Sequence, residues 1–167
     1  MVKVLSVMAA ALAATGALAH EGHKHPVPTA PAVDAGVVKV LERYRAAFEA
    51  RSTDKLGEVM DPAVLVLEGT GKDVGWAAYR DDHIGPEMKD WESLTYADVV
   101  VVDSQAKGDS AWAVTQATVT IVSAGKPMTL DVAETFVLSR SEGNWRIRHL
   151  HWSGKRRVPP APAKEAK

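Results

Sequence analysis

From residue 34 to residue 60 the apolar positions fall at helical spacing. Val37, Leu41, Tyr44 and Phe48 recur at intervals of four, three and four, which makes one stripe of an amphipathic helix. Asp34 stands where an N-capping carboxylate belongs. Ser52 or Thr53 is placed to cap a second, short helix through Leu56 and Met60. Asp61-Pro62 predicts its end, because the residue before proline is pushed out of the α region. Val64-Leu65-Val66-Leu67 then predicts a short strand, and Gly69-Thr70-Gly71 a loop. A third helix is expected from near Gly75 to about Ile84, with Gly85-Pro86 breaking it.

Beyond residue 93 the period changes from helical to two. Strands are expected at about Leu94–Gln105, Ala111–Ser123, Pro127–Arg140 and Trp145–Ser153. They are joined by Lys107-Gly108-Asp109, Ala124-Gly125-Lys126 and Glu142-Gly143-Asn144, which is hairpin chemistry. Val99 to Val102 is apolar at every position and predicts a sheet covered on both faces there. Helices first and a long antiparallel meander afterwards give an α+β fold.

Both ends depart from these patterns. Lys3, the apolar run Val4 to Ala14 and the small-x-small triplet Ala17-Leu18-Ala19 make residues 1–19 a signal peptide, cleaved after Ala19. The alternative is a buried N-terminal helix, which the polar, proline-rich stretch that follows disfavours. Residues 20–33 form a His- and Pro-rich leash, 34–157 the folded domain, and 158–167 a disordered proline-rich tail. The address implied is periplasmic or secreted, with no membrane-spanning helix after cleavage, since no later apolar run reaches about 20 residues.

Composition narrows the chemistry. Among 167 residues there are 20 Lys+Arg and 21 Asp+Glu with no long block of either sign, so nucleic acid is not an expected partner. Cysteine is absent, which excludes disulfides, thiolate metal sites and a cysteine nucleophile.

The order of helix, helix, short strand, helix and long meander resembles the nuclear transport factor 2-like superfamily, and within it the SnoaL-like group of small bacterial proteins. The segments Val40–Phe48, Trp76–His83 and Gly143–Ser153 carry the resemblance, above all the glycine turn, Trp145-x-Ile147 and His151 before Ser153. It implies a cone: a curved antiparallel sheet wrapped around a long N-terminal helix, with two shorter helices. A ligand pocket would lie inside, and the outer face of the sheet would pair two chains as a homodimer. The superfamily holds isomerases, dehydratases, cyclases, carriers and association domains, so fold alone does not choose among them.

Unbroken alternation along the last strand puts Trp145, Ile147, His149 and His151 on one face and Arg146, Arg148, Leu150 and Trp152 on the other. Trp76, Arg80 and His83 share a stripe of the third helix, which caps the cone mouth in the resembling fold, so His83 could approach His149 or His151. Three imidazoles would suit Zn²⁺ or Cu²⁺, or one could serve as a general acid or base. The alternative is that each is a hydrogen-bonded or solvent-facing histidine. Glu134 is the one carboxylate on the face Met128, Leu130, Val132, Phe136 and Leu138. Held in an apolar cone it would have a raised pKa and could abstract a proton next to a carbonyl. A bulge that turned it outward, or a partner such as Arg148, would remove that role. Glu134 and His151 are thus the candidate catalytic residues. Tyr44, Trp76, His83, Trp91, Trp145 and His149 are the candidate lining of a small-molecule pocket. Trp112, Leu150 and Trp152 are expected on the outward, dimer-forming face. Independently, cleavage after Ala19 would leave His20, His23 and His25 at a free N-terminus, a nitrogen-rich set suited to copper or zinc. The alternative there is a plain polar spacer.

Overall fold

A computed structural model describes residues 33–157. Residues 1–19 with their expected cleavage site, the leash histidines His20, His23 and His25, and the 158–167 tail lie outside the described residues.

Helix α1 spans Ala35–Glu49, and Asp34 caps it by accepting from the Gly36 and Val37 amides at 2.8 and 3.1 Å. The predicted stripe Val37, Leu41, Tyr44 and Phe48 is buried, joined by Val40 and Ala47. Helix α2 is one turn, Thr53–Gly57, capped by Ser52. Its end comes earlier than expected, because Met60 already opens strand β1, Met60–Glu68. Asp61-Pro62 therefore marks an irregularity in a strand. The β1–β6 register jumps between Met60 and Leu65, and the Asp61 side chain accepts from the Ala63 amide at 2.8 Å. Proline is tolerated there because it has no ladder hydrogen bond to lose. Gly69-Thr70 turns the chain into a short strand the sequence reading did not include, β2, Gly71–Val74.

The third helix is longer than predicted and changes pitch. Helix α3, Trp76–Ala78, runs into a π-helical segment, Tyr79–Ile84, and then into α4, Gly85–Asp90. Gly85-Pro86 is a junction where a break was expected. Pro86 sits in the first turn of α4, where its missing N–H costs nothing. The Gly85 amide bonds back to the Arg80 carbonyl, five residues earlier, and a Cβ at position 85 would collide with that carbonyl.

The four long strands are β3 Ser93–Lys107, β4 Ser110–Ser123, β5 Lys126–Ser141 and β6 Asn144–Arg156. All six strands form one sheet in the order β2-β1-β6-β5-β4-β3. The sheet is mixed: β1 runs parallel to β6, and the other pairs are antiparallel. It curls around α1 to make the cone, and the core lies between them. Val99 to Val102 is not covered on both faces by this chain. It lies on edge strand β3, broken by two register shifts, and Val100 is 55% exposed. Among the described residues no helix is long and apolar enough to cross a membrane.

Candidate functional site

The inside of the cone is not filled. A cavity of about 340 Å³ remains between α1, the π segment, α4 and the inner faces of β1 and β3 to β6, within the range of small-molecule pockets. Its side walls are apolar, with Val66, Ile84, Leu94, Val119, Ile121 and Leu130 among them. Aromatic rings finish the lining. Phe48 and Trp91 stack with centroids 6.5 Å apart, and Trp152 closes the wall from β6.

Two phenols stand deep in the cavity. Tyr44, from α1, is 1% exposed and meets Phe136 edge-on at 5.1 Å. Tyr96 comes from the inward face of β3. Burial pushes both phenols well above their ordinary range, so they stay neutral. Behind them lies Glu134, 1% exposed. The β4–β5 register runs without a break past it, pairing Thr115 with Glu134, so no bulge turns the carboxylate outward. It accepts hydrogen bonds from Thr115 at 2.8 Å and Tyr96 at 3.2 Å. Burial pushes its pKa up, and the bonds from Thr115, Tyr96 and Tyr44 only partly hold it down. Arg148 is not its partner; Arg148 lies 3.8 Å from Asp61.

The mouth is acidic. Glu68 at the end of β1 and Glu87 and Asp90 on α4 line it. His83 sits beside them, edge-on to Tyr79 with centroids 5.3 Å apart. Its Nδ1 is 2.7 Å from Asp73, and its Nε2 is 3.3 Å from Glu68 and 3.6 Å from Glu87. Burial alone would lower the His83 pKa; the Asp73 bond and the charges of Glu87, Asp73 and Glu68 outweigh it and raise it.

Strand β6 corrects the expected faces. Val137 pairs with His149 and Leu138 with Ile147, so Arg148 has no opposite number on β5. One extra residue reverses the alternation from there on. Trp145 and Ile147 point inward, and so do Leu150 and Trp152. His149 and His151 are turned outward, away from the cavity. His149 Nδ1 is 2.9 Å from the Leu65 carbonyl, and His151 is exposed. His83 meets carboxylates and not these imidazoles, and among the described residues no His, Asp or Glu group is arranged to hold a metal ion.

Of the expected lining residues, Tyr44 and Trp91 are on the cavity wall. Trp145 is not: it plugs the start of α1, donating to Asp34 at 3.2 Å, with Arg140 4.8 Å over its ring. Trp76 packs against Gly57 of α2. His83 lies just behind the mouth. Tyr96, Tyr79, Phe48, Trp152 and the mouth carboxylates were not among the expected residues. The sequence held a signal for Tyr96, two after Leu94 on the same strand face. It held one for Trp152 as well: the large apolar residues of β6 are spaced two, three and two, at Trp145, Ile147, Leu150 and Trp152.

The outer face carries its own pattern. A cross-strand row runs from Trp112 through Val137, His149 and Leu65 to Val74. Leu65, Val74 and Val137 are exposed, at 37, 69 and 39%. Trp112 is on this face as expected, whereas Leu150 and Trp152 are not.

No curated protein matches the chain. Solved structures share its fold at low identity. A nuclear transport factor 2-like superfamily protein from Salmonella enterica superposes with a TM-score of 0.63 at 18% identity, over 77% of this chain and 94% of that one. A proposed dehydratase of the same family from Streptomyces avermitilis gives 0.62 at 19%, over 72% and 94%. A proposed ketosteroid isomerase from Shewanella frigidimarina gives 0.61 at 23%, over 73% and 98%. The SnoaL-like domain family matches residues 37–155, which takes in α1, the cavity and all six strands. The chain belongs to the SnoaL-like domain family, on the nuclear transport factor 2-like fold.

Proposed function

We propose that this protein binds a small, partly apolar molecule inside the cone, and does so in the periplasm or outside the cell. The carrying observation is the cavity: it combines an apolar, aromatic wall with two neutral phenols at depth and a wet, charged mouth. The leader pattern of residues 1–19 supports the address.

An isomerase- or dehydratase-type reaction is the second reading. Glu134 favours it, as a buried carboxyl with a raised pKa one hydrogen bond from a cavity phenol. Two structural neighbours carry such assignments. Glu134 reaches a ligand only through Tyr96 or Tyr44, so the phenols are the groups that touch it. His151 faces away from this cavity and does not serve it. Two further proposals stand apart from the cavity. The row from Trp112 to Val74 supports pairing with a second copy of the chain, and His20, His23 and His25 would supply nitrogen ligands for copper or zinc.

Native mass spectrometry of the protein, purified gently from its secretory compartment, tests these together. The expected result is a chain starting at His20, dimeric, with an organic adduct that is lost in Ile121→Trp, where the new ring fills the cavity. An adduct that survives in Ile121→Trp would refute the cavity as its site. Copper or zinc that disappears on deleting residues 20–25 would support the leash.

A further inference from the structure

The lining of the cavity is unbalanced in charge. Glu68, Glu87 and Asp90 stand on it, and among the described residues no lysine, arginine or histidine does. The nearest group of opposite sign is His83, and it is shared among Asp73, Glu68 and Glu87. Even as an imidazolium it leaves those three carboxylates with a surplus of two negative charges. The other nearby cations are turned elsewhere. Arg51 donates to the Trp91 carbonyl, and Arg80 pairs with Asp81 at 2.6 Å. Lys89 belongs to the cleft on the opposite side of α4.

A second observation points the same way from the inside. Glu134 is buried and hydrogen-bonded, and the charge of Arg45 only partly offsets its burial. Tyr96 donates to it and accepts from Tyr44 in turn, so what Tyr96 has left for the cavity is an oxygen lone pair. A third is the density of rings. Phe48, Tyr79, Trp91, Tyr96 and Trp152 surround the space with π faces, which attract cations and accept flat apolar groups. Anionic mouth, lone pairs at depth and aromatic wall all select one sign of charge.

We propose that the ligand is a small aromatic amine, bound as its ammonium ion with the nitrogen at the mouth by Glu68 and Glu87 and the ring between Phe48, Trp91 and Trp152. This rests on the pocket reading and adds the ligand's charge to it.

The test uses three probes with one indole body and different heads: tryptamine (cationic), tryptophol (neutral) and indole-3-acetate (anionic). Each is titrated calorimetrically into the mature protein and into the double variant Glu68→Gln/Glu87→Gln. Both residues are partly exposed, so the variant keeps its core. Tryptamine is expected to bind about tenfold tighter than tryptophol, with indole-3-acetate weakest. The tryptamine preference should shrink toward one in the double variant and fall as salt is raised. Equal or tighter binding of tryptophol overturns the charge assignment and leaves the pocket reading standing. A preference unchanged in the double variant overturns the role of the two carboxylates. Binding of none of the three overturns the proposal; if gentle purification also yields no adduct, the pocket reading falls with it.

Discussion

Replacing Glu134 by glutamine should make the protein more stable at neutral pH, and the gain should grow with pH. Glu134 is 1% exposed and accepts from Thr115 and Tyr96. Glutamine keeps the shape. Its Oε1 can accept from Thr115, and its amide can donate to the Tyr96 oxygen. What it removes is the charge. Desolvating a carboxylate costs several kcal/mol, and two hydrogen bonds to the charged form return about 1.5–3 kcal/mol each. The two sides are close, and the raised pKa says that burial wins, by a margin on the order of 1 kcal/mol. The sign follows from the direction of the shift. The folded pKa lies above the unfolded value near 4.5. Below 4.5 both states are protonated and nothing is lost. As pH rises through the folded pKa the native state must ionise a buried group, and stability drops. Thermal melts of both proteins from pH 4 to pH 8 read this out. The melting points should nearly coincide at pH 4, and the variant should melt a few °C higher at pH 8. A difference that is flat with pH, or a variant that melts lower at pH 8, would refute the claim that burial of this carboxylate outweighs its hydrogen bonds and the distant charge of Arg45.

Other outcomes follow from the same geometry. His83 has a raised pKa, so its contribution is complete below 6.5 and lost as pH rises through the folded value. His83→Gln should remove that pH dependence, at most about 1 kcal/mol because the ring is partly exposed, and an NMR titration of the wild-type ring should show a midpoint above 6.5. His151→Ala should leave ligand binding unchanged and stability within about 0.5 kcal/mol, whereas Trp152→Ala should weaken binding measurably in the same calorimetric titration. A Cβ on Gly154 would sit 2.6 Å from the Trp152 ring. Gly154→Ala should therefore displace the indole, cost about 1–3 kcal/mol in a denaturant melt, and weaken ligand binding without altering any residue on the cavity wall.

Elements with a sustained period were legible in the sequence. The helix stripe from Val37 to Phe48 and the β5 face from Leu130 to Leu138 are both buried as their spacing required, with Met128 half-buried at its end, and the second of these placed Glu134 inside. Positions where a strand or helix changes its count were not legible from period alone. The Arg148 bulge reversed the faces of β6 and took His149 and His151 out of the cone. The π segment carried the third helix past Gly85-Pro86, onto which the mouth residues Glu87 and Asp90 are built. Pro62 predicts a helix end, yet its missing N–H suits a strand irregularity equally well. The site itself was half legible. Tyr44 comes from a regular element and Trp91 from the residue that ends α4, while Glu68, Glu87 and Asp90 converge from a strand end and a short helix that no local pattern brings together.

The extra residue in β6 uncouples the residue count of that strand from the faces its side chains take. Removing Arg148 would restore strict alternation with β5 while keeping every pair from His149 onward, so His149 and His151 would stay outside and Leu150 and Trp152 inside. The cavity would keep its indole wall, and the strand would lose the local bend and added twist that a bulge supplies. A strand of this kind can lose one codon at its bulge and still present the same side chains to ligand and solvent, so the length of the chain there is free to vary while the lining of the cavity is not.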